Sequence, residues 1–210
     1  MNSHQVLSTS PIVPVMVIEH AKDAVPLARA LVAGGIKILE ITLRTKQALE
    51  SIRLIAKEVP EALVGAGTIL NAKQLEETQK VGARFAISPG LTPLLAKEAK
   101  QFELPLIPGV AGASELMLAL EYGFTHLKFF PAQAAGGVGM LKSLSGPFEG
   151  VYFCPTGGIS LENMHSYLAL KNVLCVGGSW LAPKDLVANG KWENITQIAQ
   201  ESLGMLQKNT

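Results

Sequence analysis

The sequence lacks most of the features that mark a chain for a membrane, a nucleic acid or the cell exterior. No apolar stretch approaches the ~18–20 uninterrupted residues of a membrane span. Lys and Arg (18) nearly balance Asp and Glu (17), for a formal net charge of +1. The basic residues are scattered, and without a basic stripe or polybasic run neither a nucleic-acid partner nor an anionic membrane is expected. Residues Met1 to Ser10 read as polar and lack the charged-then-apolar order of a signal peptide, so cytoplasm is the expected compartment. Cysteine is scarce. Cys154 and Cys175 each sit inside an apolar run, which reads as buried reduced thiols rather than a disulfide. His4, His20, His126 and His165 show no paired ligand spacing, so no metal site is expected.

What the chain has in quantity is apolar residue: 48% hydrophobic against 17% charged over 210 residues. That is enough for one sizeable core, and one domain over residues 1–210 is expected. A mean hydropathy of +0.29 is high. It is accounted for if many strands are buried on both faces and therefore read as apolar runs.

Such runs recur. They begin near Ile12, Ile36, Leu63, Phe85, Leu106, His126, Val151 and Val173. Helical periodicity fills the gaps: Val25, Ala28, Leu31 and Val32 in Ala21 to Ala33, and Ala48, Ile52, Ile55 and Ala56 in Gln47 to Val59. Asn71 and Ser160 read as helix N-caps. Gly34-Gly35, Gly82 and Gly123 fall where helices should stop. Trp192 to Leu206 reads as a final helix. A strand, a helix and two short loops take up roughly 20–27 residues, which matches the spacing of the runs. Eight such units predict an α/β fold, a (β/α)8 TIM barrel. The alternative, an open flavodoxin-like sheet, would carry a Gly-rich loop after its first strand, whereas Val17 is followed by Ile18-Glu19-His20.

In such barrels the chemistry lies at the C-terminal ends of the strands, and alternation decides which side chains point inward. In the second run Ile36, Ile38, Glu40 and Thr42 share one face, while Leu39, Ile41 and Leu43 share the other. If the Leu and Ile set packs on the helices, Glu40 and Thr42 face the interior and Arg44 follows at the rim. In the sixth run Lys128 sits between Leu127 and Phe129, unlike the lysines on polar helical faces. Burial disfavours a charged amine, and a neutral amine condenses with carbonyls. Two readings stay open here, a nucleophilic lysine and a structural Lys128–Glu40 ion pair. The seventh and eighth runs each end in a glycine pair, Gly157-Gly158 and Gly177-Gly178. At that place in a barrel they suggest a phosphate site built from backbone N–H groups and a following helix start. A phosphosugar isomerase or decarboxylase and a sugar-phosphate-binding regulator remain compatible with a phosphate-binding barrel, whereas the histidine spacing counts against the other rival, a metal-dependent aldolase.

Five strings occur in order: Leu39 to Thr45 (LEITLRT), Val64 to Thr68 (VGAGT), Ile87 to Gly90 (ISPG), Lys128 to Ala132 (KFFPA) and Cys154 to Ile159 (CPTGGI). From about Pro11 to Leu181 the chain resembles the 2-keto-3-deoxy-6-phosphogluconate (KDPG) aldolases. These often also act on 4-hydroxy-2-oxoglutarate (KHG). The resemblance implies that Lys128 forms a Schiff base and that Glu40 is the acid/base carboxylate. It implies that Arg44 and Thr68 hold the substrate carboxylate, and that Pro89, Phe130 and Thr156 line the pocket. Gly157, Gly158 and Ser179 would bind phosphate. The substrate would be a phosphorylated 2-keto-3-deoxy sugar acid, with 2-keto-3-deoxy-6-phosphogalactonate the runner-up. No cofactor and a homotrimer are implied as well. Two departures stand out. Gln133 replaces an expected Glu after the lysine motif, and Val110 to Glu115 replaces a hydroxyl-rich stretch.

Overall fold

The computed structural model describes residues 1–207. The chain opens with helix α1 (Ser3–Leu7), capped by Asn2, whose side chain accepts from Gln5 N while Gln5 answers the Asn2 N–H. Strand β1 (Ile12–Met16) follows, then a 3-10 turn (Ala21–Asp23) leading into α2 (Ala24–Ala33). Next come β2 (Ile38–Thr42), α3 (Ala48–Glu58), β3 (Leu63–Gly67), α4 (Ala72–Lys80), β4 (Ala86–Ile87) and α5 (Pro93–Ala99). The second half runs β5 (Leu106–Ile107), β6 (Gly109–Val110), α6 (Ala113–Glu121), β7 (His126–Phe129) and α7 (Gly137–Ser145). It ends with β8 (Tyr152–Pro155), α8 (Met164–Leu168), β9 (Val176–Gly178), α9 (Lys184–Ala188) and α10 (Trp192–Gln207).

The architecture is α/β with a curled parallel sheet of six strands in the order β5-β4-β3-β2-β1-β9, beside a three-stranded parallel sheet β6-β7-β8. The eight expected strands are thus nine, because the fifth is divided at Pro108. Proline has no N–H to give to a ladder. On one side of it Ile107 O accepts from Ser88 N, and on the other Pro108 O itself accepts from Lys128 N. Residues 106–110 therefore bond to β4 at their start and to β7 at their end. At the opposite edges, isolated parallel bridges join Phe153 to Val173 and Thr156 to Gly177.

Two buried clusters follow from the alternation. The larger lies between strands and helices and takes Leu39 and Ile41 from β2. The smaller holds Ile38 together with Val13, Phe85, Ile87, Ile107, Cys154 and Cys175. Ile36, grouped by alternation with Ile38, packs with the helices instead, because it precedes the strand proper. Val6 and Leu7 of α1 join the smaller cluster and are fully buried. The segment that reads as polar in sequence therefore contributes to the core. Both cysteines are buried and free. The Cys175 thiol is pushed well up, first by its hydrogen bond with Cys154, then by burial. His4 and His126, unrelated in sequence, meet with 3.1 Å between ring nitrogens. Burial, then the neighbouring His4, lowers the pKa of His126. Among the described residues no helix is long and apolar enough to cross a membrane, and no three His, Cys, Asp or Glu side chains gather as a metal site.

Candidate active site

Above the small cluster, the inward positions of β2 and β7 turn polar. Glu40 is 1% exposed and Lys128 6%. Lys128 Nζ donates to Glu40 Oε1 at 3.3 Å, across 88 residues of sequence. Burying two charges is costly, and their mutual attraction repays it only in good geometry. The strands on either side leave room for the pair. Gly65 lies opposite Glu40 and Gly67 opposite Thr42 in register. A Cβ at Gly67 would overlap the Glu40 carboxylate, so the glycine is what lets the carboxylate lie across β3.

This gives a direct expectation. Gly67→Ala should displace Glu40 by about an ångström, and misplacement of that size costs on the order of 10²-fold in rate. Overpacking should lower stability by about 1–3 kcal/mol. Turnover and a thermal melt of the variant would read both. Native turnover would mean that the Glu40 position is immaterial.

Phe130 covers the lysine, its ring centroid 5.2 Å from Nζ. The same ring packs against Gly157, whose Cβ position would lie 3.3 Å from Phe130 Cε2. Thr156 is 6% exposed and sits over Gly177, where a Cβ would overlap its hydroxyl. Pro89 approaches from the β4 side: its carbonyl packs so closely on Gly109 that a Cβ there would overlap it, and Gly109 is in register with Lys128. Pro89 and Phe130, with Ile69, Leu91 and Glu115, also line an adjoining open cavity of about 360 Å³.

At the rim, Arg44 is exposed and its Nε donates to Thr42 Oγ1 at 3.1 Å, while that hydroxyl donates to Met16 O at 2.8 Å. Thr42 was legible only as an inward-facing residue; in the structure it orients the arginine. Thr68, at the next strand end, has φ +62°. A β-branched residue in that region carries strain of order 1–3 kcal/mol, which the surrounding structure must hold. No hydrogen bond joins Arg44 or Thr68 to Lys128 or Glu40 among the described residues. Ser179 is exposed just after β9.

The glycine turns differ from the expected form in one respect. Ser160 is not an N-cap, because α8 starts only at Met164 and spans five residues. The intervening stretch is a turn in which the Asn163 side chain accepts from Ser160 N. Any anion at Gly157-Gly158 would therefore meet turn N–H groups rather than a helix start. The turn lies at the end of β8, next to Phe130, and so on the lysine side of the fold.

A family model described as KDPG and KHG aldolase matches residues 4–198. The chain is 56% identical over 202 residues to the 2-dehydro-3-deoxy-phosphogluconate aldolase of Dickeya dadantii, covering 96% of this chain and 95% of that one. It is 55% identical over 202 residues to the KHG/KDPG aldolase of Escherichia coli K12, with the same coverage of 96% and 95%. Its fold is similar to the crystal structure of KDPG aldolase from Legionella pneumophila with pyruvate captured at low pH as a covalent carbinolamine. The TM-score is 0.94 and the identity 49%, covering 96% of this chain and 98% of that one.

Proposed function

Because the chain belongs to the KDPG and KHG aldolase family, we propose that it cleaves 2-keto-3-deoxy-6-phosphogluconate to pyruvate and glyceraldehyde 3-phosphate through a Schiff base on Lys128. It is then a carbon–carbon lyase of the Entner–Doudoroff route. The same chemistry on KHG yields pyruvate and glyoxylate. The observation that carries this reading is the buried Lys128–Glu40 contact of 3.3 Å. It gives the amine an adjacent acceptor for the proton it must lose before it can attack.

The steps follow from that pair. Neutral Lys128 adds to the C2 ketone, and Glu40 passes the proton it took from the amine to the departing hydroxyl, so that water leaves, a protonated imine forms and Glu40 is again a carboxylate. The imine draws the electrons of the C3–C4 bond as Glu40, directly or through water, takes the C4 hydroxyl proton. Glyceraldehyde 3-phosphate departs. Glu40 returns the proton to C3 of the enamine, and water then hydrolyses the imine to release pyruvate and the free amine. Arg44, oriented by Thr42, holds the carboxylate in a two-pronged contact, with Thr68 beside it. Pro89, Phe130 and Thr156 shape the pocket. Gly157, Gly158 and Ser179 receive the phosphate, whose remote binding energy orients the reacting carbons. No metal or cofactor enters these steps.

Continuity of the chain through Pro108 and the two bridges between β8 and the β9 segment support one closed (β/α)8 domain. Leu70, Leu94 and Met117 are 58%, 65% and 56% exposed, an apolar set on consecutive units that supports self-association, which we propose is a homotrimer, with the cytoplasm as its proposed compartment. Sedimentation equilibrium should give three times the 22.3 kDa chain mass; a single chain mass would remove the trimer.

Borohydride reduction in the presence of pyruvate tests the chemistry. A reduced pyruvyl adduct confined to Lys128 by peptide mass mapping is the expected result. A folded protein that gives no adduct would overturn the Schiff-base reading.

A further inference from the structure

Gly157 and Gly158 both have left-handed backbones, φ +98° and +75°. Their carbonyls are tied back into the protein. Gly157 O accepts from Gln133 N at 3.0 Å, and Gly158 O accepts from Asn163 Nδ2 at 2.8 Å. The other end of the Asn163 amide, Oδ1, accepts from Ser160 N at 2.9 Å. One side chain thus spans the turn and uses its donor on one end and its acceptor on the other.

Gln133 supports the turn from beneath. A Cβ at Gly158 would lie 2.5 Å from the Gln133 Cβ, and Gln133 Oε1 accepts from Tyr167 OH at 2.9 Å. Tyr167 is 1% exposed, and burial pushes its phenol up, so it stays a donor. The N–H groups of Gly158 and Ile159 have no hydrogen-bond partner among the described residues. Carbonyls turned inward and N–H groups left unpaired give the turn a positive edge, the arrangement that favours an anion.

We propose that Asn163, supported by Gln133 and Tyr167, is a positioning residue for the phosphoryl end of the substrate, acting through Gly158 and Ser160. This rests on the reading that the Gly157-Gly158 turn receives the phosphate, and it names what sets that affinity. Freed of its tether, a turn with two glycines reaches many other conformations, and few of them present adjacent N–H groups to one anion.

The experiment compares two reactions of each variant: cleavage of 2-keto-3-deoxy-6-phosphogluconate, which uses the phosphate, and exchange of the pyruvate methyl protons with D2O, which does not. For Asn163→Ala the KM for the phosphorylated substrate should rise roughly tenfold, the loss of a well-placed hydrogen bond. The kcat and KM for pyruvate exchange should stay within about twofold. Asn163→Leu removes both ends of the tether at nearly the same side-chain volume and adds no charge beside the phosphate. It should raise the same KM, and it carries the test if the truncation does not fold.

An equal loss in both reactions would show that Asn163 merely maintains the fold, and no loss in either would show that the tether is dispensable. Either result overturns the proposal. Gly158→Ala separates this from failure of the phosphate reading. If that variant leaves the KM for the phosphorylated substrate unchanged, the turn does not receive the phosphate. If it raises the KM while the Asn163 variants do not, the phosphate reading stands and the positioning role falls.

Discussion

Lys128→Ala is expected to abolish the covalent adduct with pyruvate and to lower turnover by at least ~10³-fold, about 4 kcal/mol of barrier. Covalent catalysis divides one hard step into two easier ones, and the division depends on the amine. Among the described residues no other lysine is buried, so none of them stands ready to replace it. The substitution has a second effect, on stability. It leaves Glu40, 1% exposed, without its partner, and truncating one side of a buried pair costs about 3–5 kcal/mol. The melting temperature should fall as well, and rates must be measured on protein shown to be folded. The two readings of the lysine part here. A purely structural ion pair would give the stability loss with near-native turnover in the folded fraction, and that result would remove Lys128 from the chemistry.

Glu40→Gln should split the reaction differently. The amide has the shape of the carboxylate and can still accept from Lys128 Nζ, so imine formation should survive in part. It cannot take up and return a proton. Exchange of the pyruvate methyl protons with D2O should therefore fall by about 10²–10⁴-fold, the usual contribution of a positioned acid or base. Proton NMR of pyruvate reads the exchange, and borohydride trapping reads the imine on the same sample. Unimpaired exchange would take Glu40 out of the proton path and point to water or another group. A loss of trapping equal to the loss of exchange would instead assign Glu40 to imine formation.

How much of this was legible along the chain depended on whether the signal was local. A strand buried on both faces reads as an apolar run, so the starts of β1, β3, β5 and β7 at Ile12, Leu63, Leu106 and His126 were visible directly. Alternation within β2 separated Glu40 and Thr42 from Leu39 and Ile41 because side-chain direction repeats every two residues. A lysine between Leu127 and Phe129 was conspicuous for the same reason. The Asn71 cap needed only its own neighbours, and its side chain does accept from Gln74 N.

What the residue order did not show rests, with one local exception at Ser160, on a partner far away in the chain. Pro108 divides a strand because β4 lies on one side of it and β7 on the other. Met1 to Ser10 reads as polar, yet Val6 and Leu7 are buried because the strands leave a space that α1 fills. His4 and His126 share no spacing and meet only because α1 packs there. Ser160 had the composition of a cap, but Asn163 took the hydrogen bond and delayed α8.

Local residue order was thus enough to establish the parallel α/β class, the inward set of polar side chains and the family. The curl of the sheet was needed for the rest. It brings Glu40 within 3.3 Å of Lys128 across 88 residues, lays the carboxylate over Gly67 and ties the glycine turn through Asn163. Side-chain direction is written in neighbouring residues, whereas the distance between two inward-facing groups depends on how the whole sheet bends.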